Sequence, residues 1–303
     1  MAEASKPLGV SLYDSARVDV TEIFYGIMFP GLLHTQDSLQ RAVTFPFQDT
    51  DIIIATYPKS GTTWMQQIVT LITSRGDPNS TQMNPNWVRA PWLEHIYLDL
   101  ALKAFSSTPR ILTTHLPYQL LSSTLQGSKA KVIYVSRNPK DVTVSSYHFG
   151  NVATFLPSFA KFQEFLHQFL EGKVMAGSWF DHVKGWTSQT AINLIHITYE
   201  ELWLDPHSSI KRLSSFLQCP LEEDEVNSCV KHSSFSVMKE NNMVNYTLLP
   251  ECIMEHSKGS FMRKGKTEDW KNMFTEEQNE NFKRICESKM KDWPSELSGK
   301  FKI

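Results

Sequence analysis

Residues 51 to 64 read D-I-I-I-A-T-Y-P-K-S-G-T-T-W, an apolar run that breaks at a proline and lands on a cluster of small polar residues. The run Ile52-Ile53-Ile54-Ala55 has no strict polar alternation, so it reads as a strand buried on both faces. Three further runs share the property: Ile111-Leu112, Val132-Ile133-Tyr134-Val135 and Leu194-Ile195-His196-Ile197. Helical spacing lies between them, in Trp64, Ile68, Leu71 and Ile72, and again from Phe159 to Phe169. Strands alternating with helices predict an α/β fold with a central parallel sheet flanked by helices. Ligands of such sheets sit outside the carboxyl ends of the strands, where the quoted loop falls.

A hydrophobic fraction of 41% in 303 residues suffices for a sizeable core. With no internal repeat, low-complexity tract or long linker, residues 1–303 are expected to form a single domain. The formal net charge of −2 supplies no general attraction to nucleic acid or anionic lipid, so any anion must be recognised locally. Cys219, Cys229, Cys252 and Cys286 lack C-x-x-C spacing and read as reduced thiols. The N-terminus has no basic stretch followed by an apolar one, and no segment reaches the ~18 apolar residues of a membrane span; a cytoplasmic location without membrane association is expected. The sequons at Asn79 and Asn245 then read as chance matches.

A helix beginning near Thr62 would aim the unpaired N–H groups of Ser60 to Thr63 at one point, an anion cradle. Gly61 permits close backbone approach, and the hydroxyls of Ser60, Thr62 and Thr63 add donors. The loop is P-loop-like in kind, yet it is not the nucleotide triphosphatase motif, because Lys59 precedes the glycine instead of following it. A second signal supports it. Lys131 to Tyr147 reads K-V-I-Y-V-S-R-N-P-K-D-V-T-V-S-S-Y, again strand, turn and helix, with the helix cap expected near Asp141. Arg137 at the strand end suits bidentate phosphate binding, and Ser145 adds a hydroxyl if the helix passes alongside. Two anion-ready strand ends in one sheet imply a ligand with two separated phosphates.

Y-P-K-S-G-T-T-W, then S-R-N-P-K-D-V-T-V-S-S-Y-H-F, then the R-K-G at Arg263 to Gly265 resemble the cytosolic sulfotransferases, in the family's order, from about Phe29 to Trp293. Gly177 to Trp186 (G-S-W-F-D-H-V-K-G-W) and Ser234 to Pro250 are most similar to its hydroxysteroid or alcohol branch. The resemblance implies 3′-phosphoadenosine 5′-phosphosulfate as co-substrate. It assigns Lys59, Ser60, Gly61, Thr62 and Thr63 to a phosphosulfate-binding loop, and Arg137, Ser145 and Arg263-Lys264-Gly265 to the 3′-phosphate. Trp64, Tyr199, Ser233, Ser234, Phe235, Met238, Phe261 and Met262 complete the nucleotide site. His115, in I-L-T-T-H-L-P, is by resemblance the catalytic base, with Lys59 and Ser145 as its catalytic partners. Imidazole chemistry agrees, since it titrates near neutrality. Ser145 is further implied to restrain Lys59 until acceptor binds.

In-line attack by an acceptor hydroxyl on sulfur drives charge onto the leaving phosphate, so a fixed cation at the bridging oxygen is the effective catalyst and no metal is implied. Many relatives have lysine where this chain has Thr113, which removes a possible sulfate contact. Phe149, Trp87 and Trp92, with Phe155, are expected to line an apolar acceptor pocket that takes a small hydrophobic hydroxyl compound, a hydroxysteroid or other alcohol before a phenol or arylamine. Relatives dimerise through K-x-x-x-T-V-x-x-x-E. Here Lys271 to Glu280 carries Glu276 for the valine, which implies a weak homodimer. A nucleotide-dependent kinase fits less well, because the lysine order is wrong and no Mg²⁺-holding acid is evident. A non-catalytic hormone carrier would not need Lys59 and His115, and a Golgi glycan sulfotransferase would need a signal anchor.

Overall fold

The computed structural model describes residues 14–301 and 303. The stretch from Met1 to Tyr13, read above as free of a targeting signal, lies outside the described residues. Two strands absent from the sequence expectations come first. β1 (Thr21–Phe24) and β2 (Ile27–Pro30) form an antiparallel hairpin. Its strands mix exposed, half-buried and buried positions and turn through Tyr25 and Gly26 at φ 48° and 78°, so neither a clean run nor an Asn-Gly signal marks it.

The four predicted runs all form strands: β3 (Ile52–Thr56), β4 (Ile111–Thr114), β5 (Lys131–Ser136) and β6 (Asn193–Thr198). They lie parallel in the order β4-β3-β5-β6. The chain leaves β3 for one side, then crosses to the other, so β3 marks the switch point where a crevice opens at the strand ends.

Alternate residues of β4, β3 and β5 feed separate cores. Ile53, Ala55, Leu112, Val132 and Tyr134 join one, with Phe169, Trp179, Trp186 and Phe282. Ile52, Ile54, Ile133 and Val135 join the other, with Met65, Ile68, Leu213 and Cys229. Burial on both faces holds for β3, β4 and most of β5, but not for β6: β4 is one edge of the sheet yet is bridged at Thr113 by Trp92, whereas β6, the other edge, starts exposed at Asn193 and closes only at Ile197 and Thr198. The Phe159 pattern also starts late. The helix runs Phe162–Leu170, because Lys161 is its extended N-cap.

Candidate active site

Three neighbouring strand ends carry the site. Beyond β3, Lys59 and Gly61 both take left-handed backbone, at φ 69° and 104°, and the chain turns into the helix Thr62–Thr73. A Cβ on Gly61 would lie 2.8 Å from the Tyr199 ring, so this position needs glycine for space as well as for φ. No side chain caps the helix, which leaves its first N–H donors open to a ligand.

Ser60 is a correction. Its N–H donates to the Tyr57 carbonyl at 3.2 Å, and its hydroxyl is buried without a partner and away from the cavity. The tight turn that aims the following donors consumes this one, which leaves the open helix start at Gly61 to Thr63. The Thr62 hydroxyl pairs with that of Thr56 at 2.7 Å, and the Thr63 hydroxyl donates to Tyr246 Oη at 3.4 Å.

Lys59 Nζ lies 3.9 Å from the Phe149 ring centroid and 4.1 Å from that of Phe261. Burial, aided by the charges of Arg137 and Arg263, lowers its pKa to about 7. Ser145 borders the same cavity, but these two rings are what hold the ammonium here.

Beyond β5, Arg137 ties the loop at Lys59 to the segment at Lys266. It donates to the Lys59 carbonyl at 3.2 Å and to the Lys266 carbonyl at 2.9 Å, and its guanidinium lies over the Tyr199 ring at 4.2 Å. Its buried Nε has no partner. The following helix, Pro139–Gly150, is capped by Asn138, not near Asp141 as expected. Asp141 lies within its first turn, where its carboxylate accepts the Glu268 and Trp270 N–H groups at 2.7 and 2.9 Å and so anchors the end of the R-K-G segment. Within that segment Arg263 and Lys264 are not free. Both pair with Asp269, at 2.7 and 2.6 Å. Burial opposes ionisation of Asp269, yet hydrogen bonds from Lys264, Arg263 and Asn272 bring its pKa down to about 2.

Beyond β4 stands His115. Its Nδ1 lies 2.9 Å from the Thr56 carbonyl, which can only accept, so Nδ1 carries the proton and Nε2 the lone pair. Burial, partly offset by that bond and reinforced by Lys59, lowers its pKa to about 4. Glu94 holds the backbone behind it, accepting the His115 N–H at 2.7 Å and the Thr114 hydroxyl at 3.0 Å. His182 meets the His115 carbonyl at 3.1 Å, and Trp186 donates to Leu116 at 3.1 Å. The G-S-W-F-D-H-V-K-G-W segment thus buttresses the turn that carries His115.

Lys59, Gly61 to Thr63, Arg137, His115, Arg263 and Lys264 open on a cavity of about 460 Å³. Every site residue expected from sequence borders it except Ser60 and Ser234. Ser234 faces outward and donates to the Lys231 carbonyl at 2.7 Å, while Ser233, Phe235 and Met238 reach the cavity. Trp87, Trp92, Phe149 and Phe155 form the apolar end, and Tyr246 stacks on Trp87 at 5.2 Å. Thr113 does not border it: its hydroxyl donates to the Ala90 carbonyl at 2.8 Å and accepts from Gln66 at 2.9 Å. Sequence reasoning missed Thr56, Glu94, His95, Tyr246 and Asp269. Asp269, six residues beyond an arginine in a basic segment, had a charge signal; the others had none.

A parallel α/β sheet with an uncapped helix, an arginine and a neutral histidine at adjoining strand ends, around an apolar cavity, defines a group-transfer enzyme of the P-loop-like class. Residues 49–294 match the family described as Sulfotransferase domain. The chain is 43% identical to Sulfotransferase 2B1 of Homo sapiens over 96% of its own length and 83% of that protein's. It is 41% identical to 3-alpha-hydroxysteroid sulfotransferase of Cavia porcellus, over 92% of this chain and 97% of the other. Among solved structures, mouse sulfotransferase SULT7A1 complexed with PAP aligns with a TM-score of 0.75 and 30% identity, covering 92% of this chain and 96% of that one. Retinol dehydratase with androsterone and PAP aligns with a TM-score of 0.77 and 25% identity, covering 91% of each chain. The chain belongs to the sulfotransferase family.

Proposed function

We propose that this enzyme transfers the sulfuryl group of 3′-phosphoadenosine 5′-phosphosulfate to the hydroxyl of a hydroxysteroid or related hydrophobic alcohol, with His115 as general base. One observation carries the reading. His115 presents its unprotonated Nε2 at the border between an anion cradle and an aromatic cavity. A new oxygen–sulfur bond forms as the bond from sulfur to the bridging phosphate oxygen breaks. The hydroxyl proton passes to His115 Nε2, and the phosphate leaves with the electron pair.

The donor's negative charge would raise the pKa of His115 from about 4 toward neutrality, where a base is most effective. The same charge would draw the Lys59 ammonium off its two rings to the leaving oxygen. Gly61 to Thr63 would hold the phosphosulfate, and Arg137 with the Arg263–Gly265 segment the 3′-phosphate. The buried, unpartnered Arg137 Nε and the open helix donors fit such a ligand. The 3-alpha-hydroxysteroid sulfotransferase of Cavia porcellus and the androsterone bound in the retinol dehydratase complex support a steroid acceptor.

Four free cysteines fit a reducing cytoplasm, and no helix among the described residues is long and apolar enough to cross a membrane. We also propose that residues 1–303 act as one domain and associate at most as a weak homodimer.

The test is a panel of acceptors with labelled donor. A 3-hydroxysteroid is expected to exceed 4-nitrophenol and an arylamine in kcat/KM, and His115→Ala to lower turnover by about two to four orders of magnitude with donor affinity retained. Near-normal turnover in a folded His115→Ala protein would remove the base from the mechanism. Phenols ranking above every steroid and alcohol would overturn the acceptor class.

A further inference from the structure

His95 lies on the cavity wall, 6% exposed, separated from His115 by the Trp92 ring. Three contacts hold its imidazole. Its face stacks on Trp92 with centroids 5.2 Å apart and planes 8° from parallel, the His34 ring meets it edge-on at 4.9 Å, and Nδ1 bonds the Tyr97 hydroxyl at 2.7 Å. Burial, with His34 and His115 nearby, keeps it uncharged at neutral pH. Nε2 has no hydrogen-bond partner among the described residues, and the ring borders the cavity.

An immobile, neutral hydrogen-bonding group in an aromatic wall is poorly matched to a purely hydrocarbon ligand, because contact with one desolvates the nitrogen without replacing its partner. We propose that His95 is a specificity residue that reads a second oxygen function, a ketone or a hydroxyl, on the acceptor at a point away from the hydroxyl that receives the sulfuryl group. When the Tyr97 hydroxyl donates to Nδ1, Nε2 carries the proton and donates to a ketone or hydroxyl oxygen. When the bond reverses, Nε2 accepts from a hydroxyl. The ring therefore accommodates either oxygen function, while the wall around it selects the hydrocarbon frame. This inference rests on the hydrophobic-alcohol reading above.

The experiment compares three acceptors built on one 3-hydroxyandrostane frame, with a ketone, a hydroxyl or a plain methylene at the far ring. In the unmodified enzyme the oxygenated pair is expected to exceed the methylene compound in kcat/KM by roughly three- to tenfold, the scale of one net hydrogen bond. In His95→Phe the ratio should fall to about one, and His95→Gln, which keeps a donor and an acceptor, should restore part of it. Ratios taken within one enzyme cancel any general loss of turnover. If His95→Phe does not fold, Tyr97→Phe decides: the ring keeps its stacking on Trp92 but loses the hydrogen bond that orients it, so Nε2 is aimed less well and the ratio should fall at least about twofold. The same ratio in His95→Phe, or in Tyr97→Phe where that variant decides, as in the unmodified enzyme overturns the role of His95 alone. An unmodified enzyme that sulfates none of the three overturns the acceptor reading, and this proposal with it.

Discussion

Lys59 stands on left-handed backbone between two aromatic rings, and its burial, with the charges of Arg137 and Arg263, makes its proton easier to lose. Without a ligand its pKa is about 7, and an anionic ligand must raise it, because opposite charge favours the ammonium. Binding of 3′,5′-bisphosphoadenosine should therefore take up a proton above neutrality. The sign follows: affinity weakens as pH rises through about 7, by up to about tenfold per pH unit for one full proton. Calorimetry in two buffers of different ionisation enthalpy measures the uptake directly. Lys59→Arg, always charged, should abolish it; equal uptake in that variant would assign the proton elsewhere.

At the scale of elements, the segment around Arg263 to Gly265 depends on what it leans against. Asp141 accepts two N–H groups at its far end, and Gly265, at φ 61°, lies against Phe235 so closely that a Cβ would stand 2.1 Å from the ring. Gly265→Ala adds both that clash and about 1 kcal/mol of left-handed backbone cost, so the segment must shift away from the short helix Phe235–Glu240. The expected outcome is a loss of about tenfold or more in donor affinity with little change in Tm, because the segment is only half-buried. Unchanged affinity for 3′,5′-bisphosphoadenosine would show that the segment does not help hold the nucleotide. The resemblance to the family supplied the R-K-G motif, but its dependence on Phe235 joins positions thirty residues apart and is visible only in the packed chain.

For the whole molecule, five imidazoles, four buried and that of His196 half-buried, set the response to acid. His34, His115 and His196 have pKa values lowered to about 4 and His182 to about 3, and His95 is also lowered. Burial dominates in each. The unfolded chain binds these protons near pH 6.5 and the folded chain does not, so stability is full above that pH and is lost as pH falls toward 4. Glu94, raised by burial to about 7, acts in the opposite direction but supplies one proton against five histidines. The urea midpoint should fall steeply between pH 6.5 and pH 4.5; a flat profile would contradict the burial of these rings. Association is the second whole-molecule property. Glu276 is exposed at the first turn of the helix Glu276–Lys289, where it complements the helix dipole and opposes an apolar contact with a second copy. Sedimentation should show weak or no dimerisation, strengthened in Glu276→Val. A tight dimer indifferent to that substitution would sink the idea.

The features legible from sequence are those that a few neighbouring residues decide. A non-alternating apolar run makes a buried strand, a glycine among small hydroxyl residues makes an open helix start, and together these located Lys59, Arg137 and His115 at the carboxyl ends of β3, β5 and β4. The sheet order, β4-β3-β5-β6, brought them together and was not written in any one segment. Tertiary contacts also decided which donors remain available. Ser60 and Ser234 carry the expected hydroxyls but turn away from the cavity, Arg263 and Lys264 meet Asp269, and Thr56 fixes the tautomer of a histidine fifty-nine residues away. The physical reason is the range of each effect. Strand and helix preferences are settled by nearest neighbours along the chain, whereas hydrogen-bond partners, desolvation and proton affinity depend on whatever the fold places within a few ångströms.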